Sequence, residues 1–221
     1  MKNLCVLFLS TLMAALTSCG GNSSKRTVSD GPYYDGDSLG NGVYYVFKNK
    51  IMISEIPMKE KMAHGSAKEW YNDGTLRREA NYENGSLEGL STEYYETGSV
   101  FCETPYVSNK IHGVQYKYKK DGSIASEAPF ENGDPVPGIK EYKEGVLIEQ
   151  PTIVSVKTGK NIELRLSDNN KKAEFYMISA DGKKSKIQTD EGVGKYLSNI
   201  GGTIRAVYTT PFGNNAAVDS K

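Results

Sequence analysis

Few residues in this 221-residue chain are of types that do chemistry, and their spacing decides what they can do. Glu79, Glu103 and Glu127 recur every 24 residues. If each 24-residue step is a β-hairpin, neighbouring copies lie two strands apart, about 9.6 Å at ~4.8 Å per strand. That is close to the ~6.5–9.5 Å between the two carboxylates of an inverting glycosidase. A repeat imposes the same spacing on every column, however, so these glutamates are expected to form a solvated ladder. The two histidines, His64 and His112, stand 48 positions apart, or about 19 Å by four strand spacings. A shared zinc needs each nitrogen within ~2.1 Å of the metal, and the intervening Glu88 is also too distant. Cys102 falls where Arg78 and Ser126 fall in the other units, on the face expected to be covered, and reads as a small apolar filler. No histidine is placed to activate its thiol. Neither G-x-x-x-x-G-K-S/T nor H-E-x-x-H occurs. The expectation is a protein without enzymatic activity, without a metal and without a cofactor.

Composition narrows the classes further. Lys and Arg number 27 against 27 Asp and Glu, so the chain lacks the basic surplus of a nucleic-acid binder. It holds 23 glycines and 15 tyrosines but one tryptophan, a balance that favours strands joined by tight turns.

The elements that must position these residues come from an internal repeat. Gly74, Gly98 and Gly122 fall in register at 24 residues, as do Gly65, Gly89 and Gly113. The apolar columns agree: Trp70/Tyr94/Tyr118, Leu76/Val100/Ile124 and Tyr82/Tyr106/Phe130. Asn72-Asp73-Gly74 and Lys120-Asp121-Gly122 read as turns within hairpins, Asn84-Gly85 and Asn132-Gly133 as turns between them. A three-residue loop with Gly74 left-handed pairs Trp70 with Leu76 and keeps that column aromatic. Period-2 alternation then predicts Trp70, Leu76 and Tyr82 on one face and Arg77, Glu79 and Asn81 on the other. A fourth, shortened unit starts at Pro137-Gly138, and a worn first unit covers roughly 43–64.

The run His64-Gly65 … Trp70-Tyr71-Asn72-Asp73-Gly74-Thr75-Leu76 … Glu79 … Tyr82-Glu83-Asn84-Gly85-Ser86-Leu87-Glu88-Gly89 resembles the bacterial variant of the MORN repeat. The likeness covers about 64–147, with departures at Ser108-Asn109-Lys110 and Lys119. It implies an elongated antiparallel meander. Some members of that family are antitoxin components of toxin–antitoxin modules, which implies a toxin as one class of partner.

The flanks carry the address. Lys2 precedes an uncharged stretch, Leu4 to Leu16, too short for a bilayer span but suited to a signal peptide. Leu16-Thr17-Ser18-Cys19 resembles the lipobox of bacterial lipoproteins, in which the cysteine receives the lipid. Gly20 after it resembles outer-membrane sorting. Residues 1–18 therefore read as a signal peptide and 19–42 as a flexible tether from lipidated Cys19. Residues 43–149 are the repeat domain, 150–214 a small Ig-like β-sandwich and 215–221 a disordered tail.

The whole predicts an all-β, lipid-anchored envelope protein, with a membrane partner through Cys19 and another envelope protein as ligand. Tyr71, Tyr95 and the Glu79/Glu103/Glu127 column are the candidate interaction surface, on which a glycan could also stack.

Overall fold

The computed structural model describes residues 29–168, 172–191, 193–197 and 201–220. The expected signal peptide, the lipobox Leu16–Cys19 and the first part of the expected tether lie outside the described residues. Among those described there are twenty-two strands and no helix.

The repeat sheet comprises β1 (Gly31–Gly36), β2 (Gly42–Lys48), β3 (Ile51–Lys59), β4 (Met62–Ala63), β5 (Gly65–Trp70), β6 (Leu76–Glu83) and β7 (Ser86–Tyr94). It continues with β8 (Val100–Val107), β9 (Lys110–Ile111), β10 (Gly113–Tyr118), β11 (Ile124–Glu131), β12 (Asp134–Pro135), β13 (Lys140–Lys143) and β14 (Val146–Leu147). Its order is β1-β2-β3-β5-β6-β7-β8-β10-β11-β13-β14, an antiparallel meander, with β4, β9 and β12 pairing onto β3, β8 and β11.

Two turn types alternate along it. Within each hairpin the Tyr71 N–H donates to Thr75 O (2.8 Å) and Gly74 N–H to Tyr71 O (3.0 Å), with the same bonds at Tyr95/Gly98 and Lys119/Gly122. Gly74 adopts φ +88°, which a side chain would strain. Trp70 pairs with Leu76, as the three-residue loop requires. On the opposite edge Asn84-Gly85, Ser108-Asn109 and Asn132-Gly133 are two-residue turns with both φ positive. Ser108-Asn109 keeps that geometry without a glycine because Glu88 accepts from Ser108 N–H and Asn109 Oδ1 from Leu87 N–H. Each turn also reaches back one unit: Gly85 N–H to Ala63 O, Asn109 N–H to Leu87 O, Gly133 N–H to Ile111 O.

One predicted feature fails. Register slips by one at Val46/Phe47, Glu69/Trp70, Glu93/Tyr94 and Lys117/Tyr118, leaving Ile53, Arg77, Phe101 and Ala125 as bulge residues 24 apart. A bulge adds one residue to one strand and reverses its alternation. Arg77 and Arg78 accordingly both reach Glu69. The column Trp70/Tyr94/Tyr118 therefore stands on the glutamate face, since the Tyr118 hydroxyl reaches Glu103. Tyr82 and its equivalents remain on the other face with buried Ala80, Thr104 and Ala128. There they pair across from glycines: Gly65–Tyr82, Gly89–Tyr106 and Gly113–Phe130.

Both expected boundaries move outward. The segment expected to be a tether to residue 42 already contains β1, paired with β2 from Gly31 and held by Tyr33 stacked on Tyr45 at 6.3 Å. The expected first unit is a hairpin with the two-residue turn Asn49-Lys50.

The C-terminal part adds β15 (Ile153–Thr158), β16 (Asn161–Leu166), β17 (Ala173–Ile178), β18 (Lys184–Lys186), β19 (Thr189–Asp190), β20 (Val193–Leu197), β21 (Thr203–Thr209) and β22 (Asn215–Asp219). These form two four-stranded sheets, β15-β16-β20-β19 and β18-β17-β21-β22, a small sandwich as expected. The expected tail is instead an edge strand: Ala216 and Ala217 are buried and Arg205 grips Asp219 with two bonds of 2.7 and 2.9 Å. The sandwich core of Leu164, Leu166, Phe175, Ile204 and Ala206 runs without a break into Ala128, Phe130 and Ile139 of the last repeat.

At that junction Glu141, 1% exposed, accepts from the Thr210 hydroxyl (2.5 Å) and the Asn214 amide (2.6 Å). Replacing Glu141 by Ala strands two buried donors, each costing about 1–3 kcal/mol. Urea denaturation should therefore show about 2–6 kcal/mol of lost stability; a loss below ~0.5 kcal/mol would deny the junction this role.

Candidate functional site

Because paired residues of neighbouring strands share a face, the register lines up one row across eight strands. It runs Glu55, Lys68, Glu79, Thr92, Glu103, Tyr116, Glu127, Lys140. Two residues further along the strands, the same register sets Leu90, Pro105, Val114 and Pro129 side by side. Leu90 is 47% exposed, and the row forms an apolar ribbon across β7, β8, β10 and β11.

On the other side of the charged row stand the aromatics that the bulges bring to this face. Tyr116 and Tyr118 stack with centroids 6.4 Å apart. The Tyr118 hydroxyl donates to Glu103 (2.7 Å) and the Tyr142 hydroxyl to Glu127 (2.8 Å), each reaching 15 residues back. Lys140 adds an ion pair to Glu127 at 3.1 Å. In the first copy Glu79 takes the Ser66 hydroxyl at 2.7 Å. The ladder expected to be merely solvated is thus held in fixed hydrogen bonds. Period-2 counting missed this because it placed the aromatics on the opposite face.

These bonds shape the chemistry. Hydrogen bonds from Tyr142 and Lys140 hold the Glu127 carboxyl below the usual range. A glycosidase acid needs the opposite shift, so Glu127 is not tuned as such an acid. The Glu103 hydrogen bond pushes the Tyr118 hydroxyl up to about 12.

Tyr71 and Tyr95 are placed differently from expectation. Their hydroxyls donate to the Tyr94 and Tyr118 carbonyls at 2.7 and 2.8 Å, and both side chains are half-buried. They staple one unit to the next, and Lys119 stands where a third staple would be. Cys102 is buried beside Thr104. His64 is buried at Nδ1 without a hydrogen-bond partner, whereas His112 Nδ1 accepts from Asn132 N–H at 3.5 Å. Among the described residues no three His, Cys, Asp or Glu side chains gather as a metal group.

Tyr118, Tyr176 and Tyr208 all lie at about 12, the first two through hydrogen bonds to Glu103 and Glu174, the third through burial. The folded state keeps these protons where the unfolded chain, near 10, has released them. The stability they contribute is whole below pH 10 and is lost as pH rises towards 12. Titration at 295 nm should show a late-ionising group of tyrosines that shrinks in Tyr118→Phe. A single step near 10 in the folded protein would contradict these bonds.

No curated protein matches the chain. Residues 63–84, 87–108 and 111–132, each ending at or beside a two-residue turn, match the MORN repeat variant, so the chain carries three consecutive segments similar to that repeat.

Proposed function

We propose that this chain is a lipid-anchored protein of the bacterial envelope that binds another protein on the glutamate face of its repeat sheet, without catalysing a reaction. MORN repeats mark a repeat protein involved in binding. The observation that carries the finer reading is the composition of that face. An apolar ribbon, Leu90 to Pro129, exposed at Leu90 and half-buried at Pro105, Val114 and Pro129, runs beside the stacked Tyr116 and Tyr118 and beside carboxylates whose direction is fixed by hydrogen bonds. Preorganised aromatic and apolar groups beside fixed polar ones are what a protein interface core uses. Because their positions are set by the backbone ladder, little side-chain freedom remains to be lost on binding. The anchor rests on Leu16-Thr17-Ser18-Cys19 behind its apolar stretch, and Gly20 supports the outer membrane as its destination.

The test is capture from detergent-solubilised envelope with the mature chain, read by mass spectrometry. Wild type should retain one stoichiometric protein. Leu90→Asp/Val114→Asp, with an unchanged melting temperature, should retain it at least about ten-fold less, the equivalent of about 1.4 kcal/mol. Equal capture by the variant, or no protein captured by either, would contradict the proposal.

A further inference from the structure

The two ends of the repeat sheet are finished differently. At the β11–β13 end, Ala128, Phe130 and Ile139 are buried under the sandwich. At the β1–β3 end, among described residues 29–62, no hydrophobic side chain is buried. Yet this end is strongly apolar. Tyr33, Tyr45 and Phe47 form a strip on one face with centroids 6.3 and 6.4 Å apart. Tyr34 and Tyr44 pair on the other face. Ile51, exposed, follows the Asn49-Lys50 turn, flanked by exposed Lys48 and Lys50.

That corner is also where the chain enters the sheet, since Lys50 N–H donates to Asp30 at 2.8 Å. Eleven residues lie between Cys19 and Gly31, and the twelve steps reach at most about 43 Å. Ten strand spacings put the far end of the sheet roughly 48 Å from β1. The intervening Gly20–Val28 stretch reads GGNSSKRTV. With one apolar residue it has nothing to cover an aromatic end, and its Lys25-Arg26 adds charge of the same sign as Lys48 and Lys50. The opposite corner, at Leu39, is of mixed charge: it carries the exposed acids Asp35, Asp37 and Glu60 with the exposed Lys59 and Lys61, the Lys61 N–H donating to Gly40 O at 3.0 Å.

We infer that the corner at Phe47, Lys48, Lys50 and Ile51 docks on the lipid headgroup layer of the membrane that holds Cys19. Tyrosine and phenylalanine rings suit the boundary between acyl chain and headgroup, and the lysines suit its phosphates. This rests on the lipid-anchor reading. The sheet then stands with its Leu39 corner and its sandwich away from the bilayer.

The experiment uses the mature lipidated chain in vesicles of phosphatidylethanolamine with a minority of phosphatidylglycerol. A nitroxide is placed at Ile51→Cys or, separately, at Leu39→Cys, the native Cys102 being buried. Power saturation should show the Ile51 label about ten-fold less accessible to an aqueous nickel chelate than the Leu39 label, the factor that about 1.4 kcal/mol of docking supplies. Equal accessibility on a chain whose mass shows the lipid overturns the docking and leaves the anchor intact. A chain whose mass shows no lipid on Cys19 overturns the anchor and the docking together. Protection of Ile51 in lipid-free Cys19→Ser protein, rising with concentration, assigns the corner to a second copy and overturns the membrane reading.

Discussion

A sheet one layer thick has no second layer to pack against, so each unit must draw its stability from the units beside it. Most other features of this molecule answer that constraint. The small residues Ala80, Ser91 and Thr104 stay buried on a single layer because long side chains reach across them: Arg78 bonds Ser91, and Gln115 bonds Thr104. Tyr82, Tyr106 and Phe130 face glycines across the strand pair, which leaves room for the rings to lie on the backbone. Tyr71 and Tyr95 bond forward to the next unit, Tyr118 and Tyr142 bond back to the previous one, and each two-residue turn donates to its predecessor. Such nearest-neighbour bonds extend an array but cannot finish it.

The ends are therefore where the constraint is felt most, because an unfinished sheet invites further pairing. At the C-terminal end the sandwich supplies the missing layer, its core continuous with Phe130 and Ile139, and Glu141 fixes the joint through Thr210 and Asn214. At the N-terminal end the described chain supplies no such cover. A protein built this way keeps one face free along its length, and on that face the charged row and the apolar ribbon share a register set by the backbone. The proposed binding uses a surface whose residues are fixed by the way the fold is held together.

Much of this was legible in the sequence, for reasons that can be named. The 24-residue period, the Asp-Gly and Asn-Gly turns and the Trp70–Leu76 pairing all depend on local turn chemistry, which residue identity reports directly. The bulge was not legible from alternation, because an extra residue at Arg77, Phe101 or Ala125 looks like any other strand position. Its signal was present only as two adjacent arginines, Arg77 and Arg78, facing one glutamate. That single omission put the aromatic column on the wrong face and made the glutamates look unattached. A second regularity also passed unread: Pro57, Pro105 and Pro129 fall in register, each accepting at its carbonyl the N–H seven residues on. Strand β1 was hidden in a Gly- and Asp-rich stretch, and β22 in a short Ala-Ala-Val that only the sandwich core makes apolar enough to bury.

The central claim is that a one-layer array is held by its neighbours and covered at one end only. Native-state hydrogen exchange read by mass spectrometry tests it most directly, since local opening free energies report which strands depend on which. The account predicts slowest exchange in β11, β13, β17 and β21, falling unit by unit to the fastest in β1 to β3. Protection in β1 to β3 equal to that of β11, in protein free of lipid and partner, would contradict it.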